Sequence, residues 1–208
     1  MEDLVIVGAG GFGRETLDLV MALNQAQEKW SVLGVVDDSP SPANLERLAR
    51  RGVPHLGGIA DIPRAVAVAV AVGRPRARRA IVDELAGGGH RYPALIHPSA
   101  VVGTRFQHGE GLIVLGGVSI GTNVEIGAHV HLNAHAVVGH DTRLLNHVSV
   151  NPNATVSGEC VVGPLTLLGA SSTVLQQITV GEDVTIGAGA VVTRDVTSGV
   201  TAKGVPAR

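Results

Sequence analysis

Residues 120–139, IGTNVEIGAHVHLNAHAVVG, carry an aliphatic side chain at every sixth position and decide the fold. Counted outward from Ile120, this position recurs from Ile96 to Val192 without an insertion. Sixteen of its seventeen residues are Ile, Leu or Val, and the exception is His108. The residue four positions later is small or apolar in most repeats. A period this strict over about a hundred residues predicts a solenoid of short β-strands.

The repeat, with an inward aliphatic residue and a small residue at the bend, resembles the left-handed parallel β-helix of the hexapeptide acyltransferases. This resemblance implies that three hexapeptides form one triangular coil. Residues 18 apart then stack at the strand spacing of about 4.8 Å, and the repeat region forms roughly five and a half coils. In that family such prisms associate as trimers, with active sites in the clefts between neighbouring subunits.

The amino-terminal part has a different order, in which apolar runs alternate with helical segments. Residues 4–13, LVIVGAGGFG, predict a buried strand that leads into a glycine-rich turn. The runs SVLGVVDD at 31–38 and AVAVAVAVG at 65–73 predict two further strands. This β-α-β-α-β-α order indicates a small Rossmann-like parallel sheet. In the first helix, predicted for residues 14–29, Leu17, Val20 and Met21 are spaced for one buried face.

The glycine-rich turn, with Gly8, Gly10 and Gly13, favours a phosphate ligand at the start of a helix, and Asp37 can then accept a hydrogen bond from a ribose hydroxyl. That combination is typical of NAD sites. The unit ends near residue 92, however, and half of a dinucleotide fold suits a mononucleotide or nucleotide-sugar better. The glycines also fit a turn needed only for strand–helix packing. Because Pro93 then punctuates the change of pattern, we expect two domains, residues 1–93 and 94–208.

Composition narrows the class of protein. The net charge of −2 gives no electrostatic reason to expect binding to nucleic acid or an anionic membrane. Residues 1–7 lack the basic start of a signal peptide, and no apolar run is long enough for a membrane span. The single cysteine, Cys160, fits a reducing compartment, so we expect a cytoplasmic protein. It lies at an inward repeat position, which indicates that it packs in the core. This disfavours a mechanism in which the cysteine carries the acetyl group as a covalent intermediate.

Five motifs spread over both domains carry a more specific resemblance: GAGGFGRE, GVVDD, HPSAVV, HLNAHAVVGHD and GVPAR. The chain is similar in them to nucleotide-sugar acetyltransferases of the sialic acid O-acetyltransferase and UDP-4-amino-sugar N-acetyltransferase group. The resemblance implies transfer of an acetyl group from acetyl-CoA, as co-substrate and without a metal, to an amino or hydroxyl group of a nucleotide-sugar by a homotrimer.

The same resemblance assigns residues to three tasks. It places acetyl transfer at His140, Asp141 and Asn133, with His140 as the base. It places the nucleotide-sugar at Gly10, Gly11, Phe12, Asp37, Asp38 and Gly73. It places acetyl-CoA at Ser149, Gly158, Ala170 and Ala188. Two positions depart from the family pattern, because relatives often carry histidine where this chain has Phe12 and Ser149.

The repeat frame gives His140 a direction that is independent of the resemblance. Val138 and Thr142 are inward positions, so His140 and Asp141 are predicted to point outward. A nucleophile that attacks a thioester must lose a proton, and an imidazole that titrates near neutrality suits this transfer. An adjacent carboxylate can hold the tautomer and stabilise the imidazolium. Asn133 is expected to stack on Asn151, in a role that is either structural or substrate-binding.

Two other functions fit parts of the pattern. His135 and His140 form an H-x4-H pair, as in γ-carbonic-anhydrase-like hydratases, where a third histidine from a neighbouring chain completes a metal site. Such hydratases lack a nucleotide-binding front domain. The other alternative is a non-catalytic trimeric nucleotide-binding protein, which has no need for Asp141 beside His140.

Overall fold

The apolar runs of the amino-terminal part form a three-stranded parallel sheet in the computed structural model, which describes residues 1–208. The strands β1 (Glu2–Val7), β2 (Trp30–Val36) and β3 (Ala67–Val70) lie in the order β2-β1-β3. The helices are α1 (Gly11–Ala26), α2 (Pro42–Ala49) and α3 (Pro75–Glu84), with a short 3-10 helix at Ile59–Asp61. Because β1 is the central strand of a sheet packed on both sides, Leu4, Val5, Ile6 and Val7 are all buried.

The predicted first helix forms, but it begins at Gly11 instead of Arg14 and ends at Ala26. Leu17 and Val20 are buried as expected, whereas Met21 is 58% exposed, so its predicted burial is wrong. The buried residues of the helix are Gly13, Thr16, Leu17, Leu19 and Val20. At about 100° per residue, Met21 lies roughly 110° from the centre of the face that they form.

Eighteen two-residue strands follow and form three parallel sheets, the faces of a prism. The first face contains β4 (Leu95–Ile96), β7 (Ile113–Val114), β10 (His131–Leu132), β13 (Ser149–Val150), β16 (Leu167–Leu168), β19 (Thr185–Ile186) and β21 (Thr201–Ala202). The second contains β5 (Val101–Val102), β8 (Ser119–Ile120), β11 (Val137–Val138), β14 (Thr155–Val156), β17 (Thr173–Val174) and β20 (Val191–Val192). The third contains β6 (Gln107–His108), β9 (Glu125–Ile126), β12 (Arg143–Leu144), β15 (Val161–Val162) and β18 (Thr179–Val180).

Strands of successive coils pair in the register that the repeat predicts, as Leu132 with Val150 shows. Only the last coil is shorter, because Ile186 pairs with Ala202 where an unbroken count would require Gly204. Eighteen strands on three faces make six coils, slightly more than the five and a half predicted. The chain is therefore a parallel β-solenoid of the left-handed β-helix class that follows a small parallel-sheet domain. No helix of the structure is both long and apolar enough to cross a membrane.

The inward repeat positions form one continuous core of 27 buried residues along the prism axis. Val138 and Cys160 belong to it, and Thr142 is also fully buried, as the repeat frame predicted. The six-residue frame thus gives the direction of each side chain correctly through the central coils. In the first coil, by contrast, Val102 and His108 are exposed.

The bends of the solenoid share a backbone feature that the repeat did not predict. Every sixth residue from Arg105 to Asp183 has a positive φ, and at the non-glycine positions it lies between 54° and 62°. Asparagine, aspartate and glycine tolerate this left-handed conformation best. Asn123, Asp141 and Asn153 follow that preference, whereas Leu165 occupies a less favourable site. These residues define three corners of the prism.

Candidate functional site

His140 and Asp141 lie at the corner between the second and third faces, called the site corner below. The His140 Nδ1 atom is 2.7 Å from Asp141 Oδ2, and the two side chains are 58% and 46% exposed. An ionised carboxylate only accepts hydrogen bonds, so Nδ1–H donates and Nε2 keeps a free lone pair. The predicted outward direction of both residues is confirmed. This arrangement can take a proton from a nucleophile that approaches from outside the prism.

A third side chain at the site corner holds the carboxylate. Asn123, one coil before Asp141, donates from Nδ2 to Asp141 Oδ1 over 2.9 Å. This bond, followed by that with His140, holds the pKa of Asp141 below its usual range. Asp141 is therefore ionised at neutral pH. The sequence reasoning missed Asn123, although the coil period places it directly in line with Asp141.

Gly158 lies one coil after His140 and gives the imidazole its space. A Cβ atom at Gly158 would lie 2.6 Å from both Cε1 and Nε2 of His140, which no ordinary contact allows. The ring therefore rests on a backbone that has no side chain. Gly158 was predicted to bind acetyl-CoA, and that role stays a prediction beside this one.

Asn133 does not join His140 at the site corner. It follows the first face, donates from Nδ2 to Val150 O over 3.0 Å, and lies 3.4 Å from Asn151 Oδ1. The predicted stacking of Asn133 on Asn151 is confirmed. Within one chain, the residues proposed for acetyl transfer are thus divided between two corners.

The residues predicted for the nucleotide-sugar converge at the carboxyl edge of the small sheet. Gly10 and Gly11 precede and open helix α1, and a Cβ atom at either would meet nothing within 4 Å. The first amides of α1 therefore border open space, where a phosphate can be bound. Gly13 has the other glycine role, because a Cβ there would overlap the Gly8 carbonyl, so it allows close strand–helix packing.

The two aspartates after β2 differ in their contacts. Asp37 accepts hydrogen bonds from the Ala9 amide over 2.8 Å and from the Ser39 amide over 3.0 Å. It ties the second strand to the glycine-rich turn and leaves further lone pairs for a hydroxyl. Asp38 accepts from the Ile59 amide over 2.8 Å, at the start of the 3-10 helix. Gly73, after β3, is exposed and has open space beside it.

The small sheet is joined to the solenoid by a fully buried arginine, Arg78 of helix α3. Its guanidinium donates to the carbonyls of Val72 and Gly73 in one domain and to those of His129 and His147 in the other. Burial lowers the pKa of Arg78 to about 9. The group stays charged at neutral pH and is neutralised by carbonyl dipoles instead of a carboxylate. No sequence pattern marked this residue, because its neighbours in α3 are exposed arginines.

Ser149, predicted to contact acetyl-CoA, lies at this junction and is almost completely buried. Its hydroxyl donates to Gly73 O over 2.9 Å and accepts from Arg78 Nη2 over 3.0 Å. Gly73 and Ser149 were predicted to serve different ligands, yet they contact each other. In the single chain the Ser149 hydroxyl is committed to the domain junction.

Three histidines complete the junction. The rings of His129 and His147 stack with centroids 5.3 Å apart, as their separation by one coil predicted. Burial first, then neighbouring positive or imidazole groups, lower the pKa of each to about 4. His131, whose pKa is also lowered by burial, stacks on the ring of Phe12 with centroids 4.7 Å apart. Phe12 thus packs against a histidine of the solenoid.

The remaining predicted residues lie at the corner between the first and second faces. Ala170 and Ala188 stack there in successive coils, and the Gly189 amide donates to the Ala170 carbonyl over 2.9 Å. His135 lies at the same corner and lines a cleft of about 590 Å³ beside Glu15 and Asp18 of α1. His135 and His140 therefore sit at different corners and do not converge on one point. The chain contains no group of three or more His, Cys, Asp or Glu residues placed to hold a metal ion.

Comparison with known proteins gives the geometry a family. Residues 3–85 match the family described as the PglD N-terminal domain. No curated protein sequence matches the chain. Among solved structures, a mutant of perosamine N-acetyltransferase from Caulobacter crescentus, in complex with CoA and GDP-perosamine, is 32% identical. Its TM-score is 0.89, and the match covers 100% of this chain and 96% of that one.

Two further structures cover both domains. The acetyltransferase domain of PglB from Neisseria gonorrhoeae is 30% identical, with a TM-score of 0.86 and coverage of 100% of this chain and 99% of that one. WeeI from Acinetobacter baumannii is 25% identical, with a TM-score of 0.87 and the same coverage. These structures match this chain over its whole length, and the family model matches its amino-terminal part. The similarity therefore includes both domains in the same order. The chain therefore belongs to the hexapeptide-repeat family of nucleotide-sugar acetyltransferases and is an acyltransferase.

Proposed function

We propose that this chain transfers the acetyl group of acetyl-CoA to an amino group of a nucleotide-activated sugar, with His140 as general base. The observation that carries the proposal is the His140–Asp141 pair on an outward corner of an acyltransferase solenoid. The amino group is favoured over a hydroxyl because the related Caulobacter enzyme is named an N-acetyltransferase. Acetyl-CoA is favoured because a structure of the related PglB domain contains it.

The steps of the reaction follow from the site corner. The uncharged amine of the sugar attacks the thioester carbonyl carbon, and a C–N bond forms. The lone pair of His140 Nε2 takes the proton that the nitrogen loses. Asp141 faces the imidazolium that results and stabilises it. The C–S bond then breaks, and the CoA sulfur leaves with the proton that His140 returns.

The position of the site corner supports a shared site between chains. The small sheet packs on the first face, through Phe12 and Ser149, whereas His140 lies at the corner opposite that face. A nucleotide-sugar held at Gly10–Phe12 is therefore expected to meet the His140 of a neighbouring chain. The residues predicted to bind acetyl-CoA are also divided, because Gly158 lies at a different corner from Ala170 and Ala188. A groove between two neighbouring prisms can bring the two corners together. We therefore also propose that the protein is a homotrimer and acts in the cytoplasm.

The direct test is an assay of purified protein with acetyl-CoA and a panel of nucleotide-linked amino and hydroxy sugars. Free CoA and the mass of the sugar product are both measured. We expect CoA release that depends on one nucleotide-linked amino sugar and yields the acetylated product. Absence of transfer to every member of the panel would contradict the proposal, and transfer to hydroxy sugars alone would correct the acceptor group.

Co-expression of two differently tagged variants tests the shared site. His140→Ala lacks the base, and Asp37→Ala is expected to bind nucleotide-sugar weakly, so each is poorly active at low substrate. Mixed trimers that pair an intact base with an intact nucleotide site on the next chain should regain activity. Light scattering that found a stable, fully active monomer would overturn the shared site.

A further inference from the structure

The site corner is one column of side chains to which five successive coils each contribute a residue. Arg105, Asn123, Asp141, Glu159 and Gln177 occupy it in successive coils, and all have φ between 56° and 62°. The shared backbone conformation aims these side chains outward from the same edge. Neighbours in the column are therefore about one strand spacing apart, close enough for short side chains to bond.

Asp141 is fixed in this column by two different coils. Its Oδ1 accepts from Asn123 over 2.9 Å, and its Oδ2 accepts from His140 Nδ1 over 2.7 Å. An exposed carboxylate has more than one rotamer available, and a single bond to an exposed histidine selects among them weakly. The amide of Asn123 engages the other oxygen and so determines which one faces the imidazole.

The column contains a second amide–carboxylate pair of the same kind. Gln177 donates from Nε2 to Glu159 Oε2 over 3.1 Å, again from one coil to the next. The residue before Glu159 is Gly158, so this pair supports no imidazole. The two pairs share their corner, their exposure and an amide that donates to a carboxylate. They differ in side-chain length, in which coil supplies the amide, and in the absence of a histidine beside Glu159.

From this geometry we infer that Asn123 is a positioning residue for acetyl transfer, which orients Asp141 so that His140 keeps Nδ1 protonated and presents Nε2 to the nucleophile. The catalytic part of this inference rests on the proposed function, whereas the tautomer does not. In this assignment Asn123 acts only through Asp141, to which it donates its hydrogen bond. Its contribution is to hold Asp141 in the rotamer that bonds His140.

The decisive variant is Asn123→Asp, which keeps the size of the side chain and its tolerance of positive φ but replaces the donor with a second carboxylate. We expect kcat to fall about tenfold, with the KM values for both substrates within about twofold of wild type. The acid limb of the kcat profile should move to higher pH, because added negative charge favours the protonated imidazole. Asn123→Gly, which removes the amide without backbone strain, should lower kcat by several-fold.

The matched control is Gln177→Glu, which makes the same neutral-to-acid change beside Glu159. It should leave kcat, both KM values and the pH profile as in wild type. Equal behaviour of Asn123→Asp and Gln177→Glu, while His140→Ala has lost activity, would overturn the inference and leave the proposed function intact.

A measurement without substrate tests the positioning role of Asn123 even if the proposed acetyl transfer is not found. The nitrogen chemical shifts of the His140 ring, assigned by their loss in His140→Asn, report which ring nitrogen carries the proton. We expect Nδ1–H to predominate in wild type and in Gln177→Glu, and a mixture of both forms in Asn123→Gly. A ring unaffected by Asn123→Gly would refute the positioning role even if no acetyl acceptor had been found.

Discussion

His140 and His147 occupy neighbouring corners of one solenoid, close together in sequence, and have opposite surroundings. His140 is exposed and bonded to a carboxylate. The His147 ring stacks on that of His129, and the His147 carbonyl accepts a hydrogen bond from Arg78. Burial, followed by the charge of Arg78, lowers the pKa of His147 to about 4. The first environment leaves the His140 ring open to a nucleophile, and the second keeps the His147 ring uncharged at neutral pH.

The difference teaches that the corner, and not the residue type, assigns the role of a histidine in this repeat. The corner between the third and first faces lies beneath the small sheet, where His129 and His147 stack and their carbonyls bond Arg78. The corner between the second and third faces lies away from the small sheet. We therefore expect substitutions at the site corner to lower turnover, and substitutions at the corner beneath the small sheet to lower stability.

The largest effect is expected for His140→Ala. Loss of a positioned general base should lower kcat by about 10²–10⁴, with little change in the binding of either substrate. The melting temperature should stay as in wild type, because the side chain is outside the core. Steady-state kinetics and calorimetry measure both quantities, with the exposed His108→Ala as the control. Near-normal turnover of His140→Ala would end the general-base assignment.

Arg78→Met should lower the stability of the protein by weakening the junction between the two domains. The substitution removes a buried charge and leaves carbonyls of both domains without donors, so the free energy of unfolding should fall by about 3–5 kcal/mol. Urea denaturation measures this loss. Arg79→Met, on the same helix with an exposed partner Asp83 at 3.5 Å, should change it by less than about 0.5 kcal/mol. Similar losses in both variants would show that the junction does not depend on Arg78.

Lowering the pH should weaken the junction between the small sheet and the solenoid. His129 and His147 bind protons with a pKa of about 4 in the folded chain and near their ordinary value of 6.5 when unfolded. The unfolded chain therefore binds more protons between these values, so stability is full above about pH 7 and declines as the pH falls toward 4. For both residues together, with His147 discounted for its exposure, the loss from pH 7.5 to 5 is about 2–3 kcal/mol.

Urea midpoints at the two pH values measure this loss. His147→Asn keeps a residue that tolerates positive φ and removes one titrating group, so its midpoint should depend less on pH. An unchanged dependence would mean that other groups control acid stability.

Gly158→Ala should give the smallest effect, about tenfold in kcat. The added methyl group would occupy space that the His140 ring fills, and the exposed ring would turn away from Asp141. Gly116→Ala is the matched control, because it occupies the same repeat position and its Cβ would lie 3.4 Å from the nearest atom, an ordinary contact. Equal kinetics of the two variants would show that His140 tolerates displacement.

Much of the fold was predictable because it depends on local periods. The six-residue count gives the inward direction of Val138 and Thr142, and from these the outward direction of His140 follows. The alternating order of apolar runs gives the small parallel sheet. The conformation of the bends was not predictable in this way, since residues as different as Leu165 and Asp141 share the same positive φ.

The site was predictable only where partners are adjacent in sequence or a whole coil apart. The contact of His140 with Asp141 follows from adjacency, and Asn123 could have been found by counting back one coil from Asp141. Arg78 could not, because its partners come from one domain and from two coils of the other. Their convergence is a property of domain packing, which leaves no local pattern in the sequence.

The shortened last coil changes how the final edge of the solenoid can pair with another strand. Where Ile186 pairs with Ala202 instead of Gly204, the register that every other coil offers to its neighbour is lost, and the Ala207 amide turns back to the Val191 carbonyl over 2.7 Å. Stacked strands of identical register are a template for adding further chains. With its changed register and the returning Ala207 bond, the last coil is a poor template for a further strand in the register of the repeat.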